Sequence, residues 1–193
     1  MNELLVEISV FFNTYKRWVI VIHILGVALG VGGATIIDIL FFNFLKNLKI
    51  SLKELNILRT VSKVVWIGLI LLLISGVGLY LPAAERLNDS TKFLTKMIVV
   101  GVLILNGFVL NIYIFPKLVR ISFGGVSSYF RKLIFISGGV SIASWYSAFL
   151  LGAIRSIKLQ FGTLLIVYVG VLCITICVSL LLENKMSKRS SLS

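Results

Sequence analysis

Apolar residues fall into five long runs, at 18–42, 61–81, 93–115, 133–154 and 161–182, separated by short polar connections. Each run reaches about 20 residues, enough to cross a hydrocarbon core of roughly 30 Å at 1.5 Å per residue. None alternates with a period of two, and lipid accepts only helices or closed barrels as spanning structures. The pattern therefore predicts an all-α, polytopic membrane bundle of five transmembrane helices. Ahead of the first run, Leu4, Leu5, Ile8, Phe11 and Phe12 recur at helical spacing opposite Glu3, Glu7 and Asn13, which predicts an amphipathic interfacial helix within residues 1–15. Residues 16–183 read as one membrane domain. Its first four spans are expected to form the core and the fifth to be peripheral, since residues 161–182 carry few polar groups and suit a helix facing lipid or a second subunit. The polar, basic and serine-rich residues 184–193 read as a disordered tail.

Composition strengthens the membrane reading. Hydrophobic residues make up 59% of the 193 and charged residues 13%, with a mean hydropathy of +1.06; soluble domains carry about a quarter charged residues. The net charge of +12 would suit a nucleic-acid partner if it were concentrated in one module, but it is spread over the connections. Lys46, Lys49, Lys53, Arg59, Lys63, Lys117, Arg120, Arg131, Lys132, Lys185, Lys188 and Arg189 fall on one side of the membrane, 12 of the 19 basic residues. By the positive-inside rule that side is cytoplasmic, which puts the amino terminus outside and the carboxyl terminus inside a bacterial inner membrane, although Lys16 and Arg17 pull the other way. The expected partner is the lipid bilayer, with no nucleic acid. Residues 1–15 lack the basic start and small-residue cleavage site of a secretory signal. Ser51 followed by Glu54 has capping-box spacing, so the second helix is expected to begin well before it enters lipid.

The chemistry then narrows to the few polar residues inside the spans. His23, the only histidine, lies near the outer end of the first span; Lys96 and Arg155 lie at similar depth in the third and fourth, with Tyr80, Trp145 and Tyr146 in the same half. An ionisable group at membrane depth needs a partner or a cavity. One reading places His23, Lys96 and Arg155 around a cofactor, with the imidazole as the metal ligand and the cations neutralising haem propionates or an anionic substrate. The other has Lys96 and Arg155 snorkelling to the lipid heads while His23 bonds to a backbone carbonyl or serine hydroxyl. Asp38, near the inner end of the first span, shares its depth with Arg59, Lys63 and Asn111 and is expected to form a structural ion pair with Arg59 or Lys63.

Gly26, Gly30 and Ala34 follow the spacing that lets membrane helices approach closely, with Gly32 and Gly33 widening the smooth face. The small-residue-rich fourth span is its expected mate, and the same face or the fifth span is a candidate for homo-oligomerisation. Cys173 and Cys177 stand one turn apart and read as packing residues, with a soft-metal pair as the alternative. No zinc spacing, phosphate loop or nucleophile elbow is present, so hydrolytic and nucleotide chemistry find no motif.

The segment His23-Ile-Leu-Gly-Val-Ala-Leu-Gly-Val-Gly-Gly33, with Ile74-Ser-Gly-Val-Gly-Leu79 closing the second span, Lys96 within Thr-Lys-Met and Pro116-Lys-Leu at the inner end of the third, resembles bacterial copper-resistance protein D membrane domains and HemJ-type protoporphyrinogen oxidases. The resemblance covers residues 18–155. It implies a four-helix core with the histidine and lysine near one another and, in the HemJ-type branch, a b-type haem ligated by the first-span histidine, here His23. The tryptophan frequent seven residues after that histidine is replaced by Gly30, and Asn106-Gly107 stands where a further histidine is expected. With one histidine in the chain, bis-histidine ligation within a single subunit is excluded. Five-coordinate haem, a lysine or other ligand, a site shared in a dimer, a small permease or channel, and an accessory bundle without a cofactor stay open.

Overall fold

The computed structural model describes residues 3–45, 51–120, 127–154 and 159–190, all helices and turns without a strand. Five helices are long and apolar enough to cross a membrane, spanning Lys16–Phe41, Lys53–Asn88, Thr91–Leu118, Ser128–Ala153 and Phe161–Ser187. Large apolar side chains such as Trp18, Leu105, Ile166 and Leu181 are two-thirds or more exposed on the bundle's outside. Water would penalise that surface and lipid does not, so the chain is a multi-pass membrane protein.

The bundle is founded on a hairpin of α2 (Lys16–Leu45) and α3 (Leu52–Tyr80). Their backbones touch. A Cβ added to Gly68 would stand 2.6 Å from the Gly30 nitrogen and 3.0 Å from the Gly26 carbonyl oxygen, and one added to Gly33 would stand 2.8 Å from Val65. Close approach of this kind supplies the dispersion contacts that hold membrane helices together where no hydrophobic effect separates helix from lipid. The glycine ladder is therefore consumed inside the chain. Its main mate is the second span and not the fourth, and Gly26, Gly30 and Ala34 are buried within the chain. The expected capping box starts α3: Glu54 N–H donates to Ser51 Oγ at 3.2 Å and Ser51 N–H to Glu54 Oε2 at 2.7 Å. Helix α1 (Glu3–Thr14) lies at the His23 end of the hairpin, with the Phe12 ring over Gly78.

After Pro82 and a short helix α4 (Ala84–Asn88), α5 (Thr91–Phe108) begins under a Ser90 cap. Residues Val109–Ile114 then widen into a π-turn before α6 (Phe115–Arg120). The cause is Pro116, which cannot donate to the carbonyl one turn back; the wider turn, with Phe115 N–H reaching Leu110 O, relieves that break. Helix α7 (Ser128–Ala153) lies centrally against α2, α5 and α8 and buries a side of Ser137, Gly139, Ala143, Ser144 and Trp145.

Helix α8 (Phe161–Ser190) sits at the edge, and most of its face is outward, but α7 fastens it along its length. Tyr168 and Ser144 share a buried hydrogen bond at 2.9 Å, Gly139 lies against Thr175 and Ser179, and Arg131 Nε donates to Glu183 Oε1 at 3.1 Å while a second guanidinium nitrogen reaches Ser187 at 3.0 Å. That ion pair changes the reading of the carboxyl terminus. The expected tail from residue 184 is helical through Ser190, because Glu183, only 2% exposed, extends the docked stripe beyond the apolar run. Cys173 and Cys177, expected as packing residues, are exposed on the outward face of the same helix.

Candidate functional site

The face of α2 that meets α3 also carries His23, one turn before Gly26. Antiparallel pairing brings the ring to Ser75 and Gly76, and the bare Gly76 leaves it room: the ring Cε1 lies 4.0 Å from where a Cβ would stand. His23 Nδ1 and Ser75 Oγ are 2.9 Å apart. The serine hydroxyl spends its one proton on the Leu71 carbonyl of its own helix. It can therefore only accept from the imidazole, which puts hydrogen on Nδ1, so that in the neutral ring Nε2 carries the lone pair. Such a bond fixes both orientation and tautomer, as an outer partner does for a metal-ligating histidine. The hydroxyl partner foreseen for a structural histidine is thus present, and it leaves the second nitrogen uncommitted.

His23 lines a cavity of about 580 Å³ between α2, α3, α5 and α7. Ligand pockets commonly hold roughly 300 to 1,000 Å³ and join apolar walls to a few placed polar groups. Here Leu72, Phe93, Val100 and Phe149 are among the apolar walls, and His23, Lys96 and Tyr80 are the groups able to bind polar atoms. Tyr80 is held by stacking on Phe93, with centroids 5.4 Å apart and planes 7° from parallel, and by donation to Asn88 Oδ1 at 2.9 Å. Lys96 has no hydrogen-bond or ion-pair partner among the described residues; its Nζ passes Gly152, whose missing side chain gives it space, 3.6 Å from a built Cβ. Lys92, one turn earlier, is instead tied to the Ile154 carbonyl. His23 and Lys96 are therefore brought into one cavity. Arg155 lies outside the described residues.

A second, smaller cavity of about 100 Å³ lies on the other side of Leu69, Leu103 and Trp145, which line both spaces. With Ala34 these three form one tight cluster, and the indole ring of Trp145 occupies the place a side chain at Gly30 would take. Asp38 opens into this second space and does not meet Arg59 or Lys63: no ion pair joins them within 4 Å, and both cations are exposed. The depth expected for the pair is right and the direction is wrong. Gly33 faces Val65 and His23 faces Ser75, so Asp38 is level with Thr60; but the side of α3 turned toward α2 carries Leu58, Ser62, Val65 and Leu69, and Arg59 and Lys63 are each one residue, about 100°, round from it. Asn111, expected at this level, is exposed in the π-turn.

Ser75, Trp145 and the Ser62, Asn106 and Ser141 side chains escaped the sequence reading as site residues. Ser75 stands beside a glycine in a segment opposite His23, a usable signal once hairpin register is known; the others carry none, because serine and asparagine in apolar runs more often bond to backbone. Among the described residues, no group of three histidine, cysteine, aspartate or glutamate side chains is placed to hold a metal. Compared with known proteins, the chain matches no family model, no curated protein and no solved structure.

Proposed function

We propose that the chain is a membrane redox module that holds b-type haem or a related porphyrin in the His23 cavity, with the His23 end on the outer side of the membrane. The observation that carries this reading is the combination of an oriented imidazole, its Nε2 lone pair free, with a cavity of about 580 Å³ that is otherwise almost wholly apolar. The donor set suits such a group: His23 Nε2 is a good iron ligand, Lys96 would pair with a propionate, and the thioether of Met97, which lines the same cavity, is a further soft donor. When bound, the group supplies one-electron chemistry. The protein's part is to exclude water with its apolar walls, to hold the imidazole through Ser75 and to place one positive charge at the carboxylates.

The test is an absorption spectrum of protein purified from haem-sufficient cells. A Soret band is expected, lost in His23→Ala and weakened in Lys96→Gln. Protein that is colourless as purified and takes up no added haemin would defeat the proposal.

A second reading, a small permease, is favoured by the thin partition of Leu69, Leu103 and Trp145 between the two cavities. It predicts that single cysteines at Val31 and Ser62, in a Cys173→Ala/Cys177→Ala background, react with a water-borne thiol reagent applied from opposite sides. Protection of both from either side would exclude a path.

A further inference from the structure

The smaller cavity has its own chemistry. Four helices each turn one oxygen-bearing side chain to it: Asp38 from α2, Ser62 from α3, Asn106 from α5 and Ser141 from α7. Thr35, Thr60, Ser75, Thr95 and Thr175 bond back one turn, as hydroxyls in membrane helices commonly do, whereas the Ser137 and Ser179 hydroxyls have no hydrogen bond among the described residues. Ser62 and Ser141 do not bond back either; neither has a hydrogen-bond partner among the described residues, although Ser62 is only 9% exposed. Asn106 donates its Nδ2 to the Ser137 carbonyl at 2.9 Å, which turns its Oδ1 away from that bond and leaves it as an acceptor. The same donation competes for the carbonyl one turn before Ser141, the acceptor its hydroxyl would ordinarily use. The Asp38 carboxylate has neither an ion pair nor a hydrogen bond among the described residues.

A carboxylate inside a membrane is costly unless its charge is balanced. Arg59 and Lys63 do not balance it. What the same cavity offers instead is neutral oxygen on three of its walls, the Ser62 and Ser141 hydroxyls and the Asn106 carbonyl, the ligands hard cations prefer. When ionised, Asp38 brings one negative charge, and no second carboxylate lines the cavity among the described residues, so the charge matches a single positive one, and calcium and zinc would be left under-neutralised. From this we infer that Asp38, Ser62, Asn106 and Ser141 form a binding site for a monovalent metal cation of sodium or potassium type, separated by Leu69, Leu103 and Trp145 from the His23 cavity and independent of what that cavity holds. Neutral oxygens complete the cation's shell, with room in about 100 Å³ for water as well.

Trp66 and Trp145 line the cavity and report on it. Detergent-solubilised full-length protein is titrated with NaCl, KCl or choline chloride at constant ionic strength, reading tryptophan fluorescence and the thermal unfolding midpoint. A saturable change with sodium or potassium, absent with choline and lost in Asp38→Asn, is the expected result, since a ligand that binds only the folded state raises its stability. The Ser62→Ala/Ser141→Ala double variant keeps Asp38 and should raise the half-saturating concentration about tenfold. A saturable response that persists in Asp38→Asn, an unchanged half-saturation in the double variant, or equal responses to all three salts would overturn the assignment.

Discussion

The indole of Trp145, on α7, lies over the bare Cα of Gly30, on α2, with ring carbons where a side chain at position 30 would begin. This contact joins the hairpin to the central helix, and it is also the wall between the two cavities. Replacing Gly30 by valine must push the indole away, at a cost of about 1 to 3 kcal/mol for overpacking. Thermal unfolding should show the loss, and the double variant Gly30→Val/Trp145→Ala should recover part of it, because the smaller partner vacates the space. No recovery would mean that Gly30 is needed for its contact with Gly68 alone.

Gly68 is the stricter position. A Cβ there meets the backbone of α2, not a side chain that can turn aside. Gly68→Ala is therefore expected to lower stability by about 2 kcal/mol or more, and Gly68→Leu to prevent accumulation of folded protein. Gly32 and Gly138 have nothing within 4 Å of a built Cβ and serve as controls; alanine at either should be tolerated.

Ser75→Ala removes the acceptor for His23 Nδ1 without touching the cavity's volume. Folding should be near normal, whereas affinity for haemin, measured by absorbance titration of the cofactor-free protein, should fall by about 10- to 100-fold, the usual effect of removing a ligand's outer partner. Undiminished affinity would show that the ring is held by packing alone.

Arg131 and Glu183 join α7 to the far end of α8, with the carboxylate side chain 3% exposed and the guanidinium 24%. Arg131→Met leaves a buried charge behind and should destabilise by about 3 to 5 kcal/mol, whereas Arg131→Met/Glu183→Leu should recover much of that loss. Limited proteolysis offers the readout: cleavage near residue 184 should appear in the single variant and fade in the double.

Arg59→Ala and Lys63→Ala should each change stability by less than about 0.5 kcal/mol, as exposed charges with no partner among the described residues do. A large loss in either would restore the pairing with Asp38 that the helix directions exclude.

Much of the architecture was legible because lipid makes it local. The five spans, the capping box at Ser51 and Glu54 and the helix at Glu3–Thr14 all follow from residues near in sequence. Depth was legible too, and for the same reason: counting residues along a helix places His23 with Lys96, and Asp38 level with Thr60. Direction was not. Asp38 and Arg59 share a level and still miss each other by part of a helical turn.

The sequence by itself determined that this chain crosses the membrane as five helices, where α3 starts, and which polar residues share a depth, since backbone hydrogen bonding without water leaves few alternatives. Only the tertiary structure decided that Gly30 receives Trp145, that His23 meets Ser75, that Glu183 belongs to the bundle, and that Asp38 shares a cavity with Ser62, Asn106 and Ser141 and not with Arg59 or Lys63. The reason is that rotation of a helix about its axis is set by packing against its neighbours, which residues dozens of positions away supply, and a one-residue change in that rotation moves a side chain by about 100°.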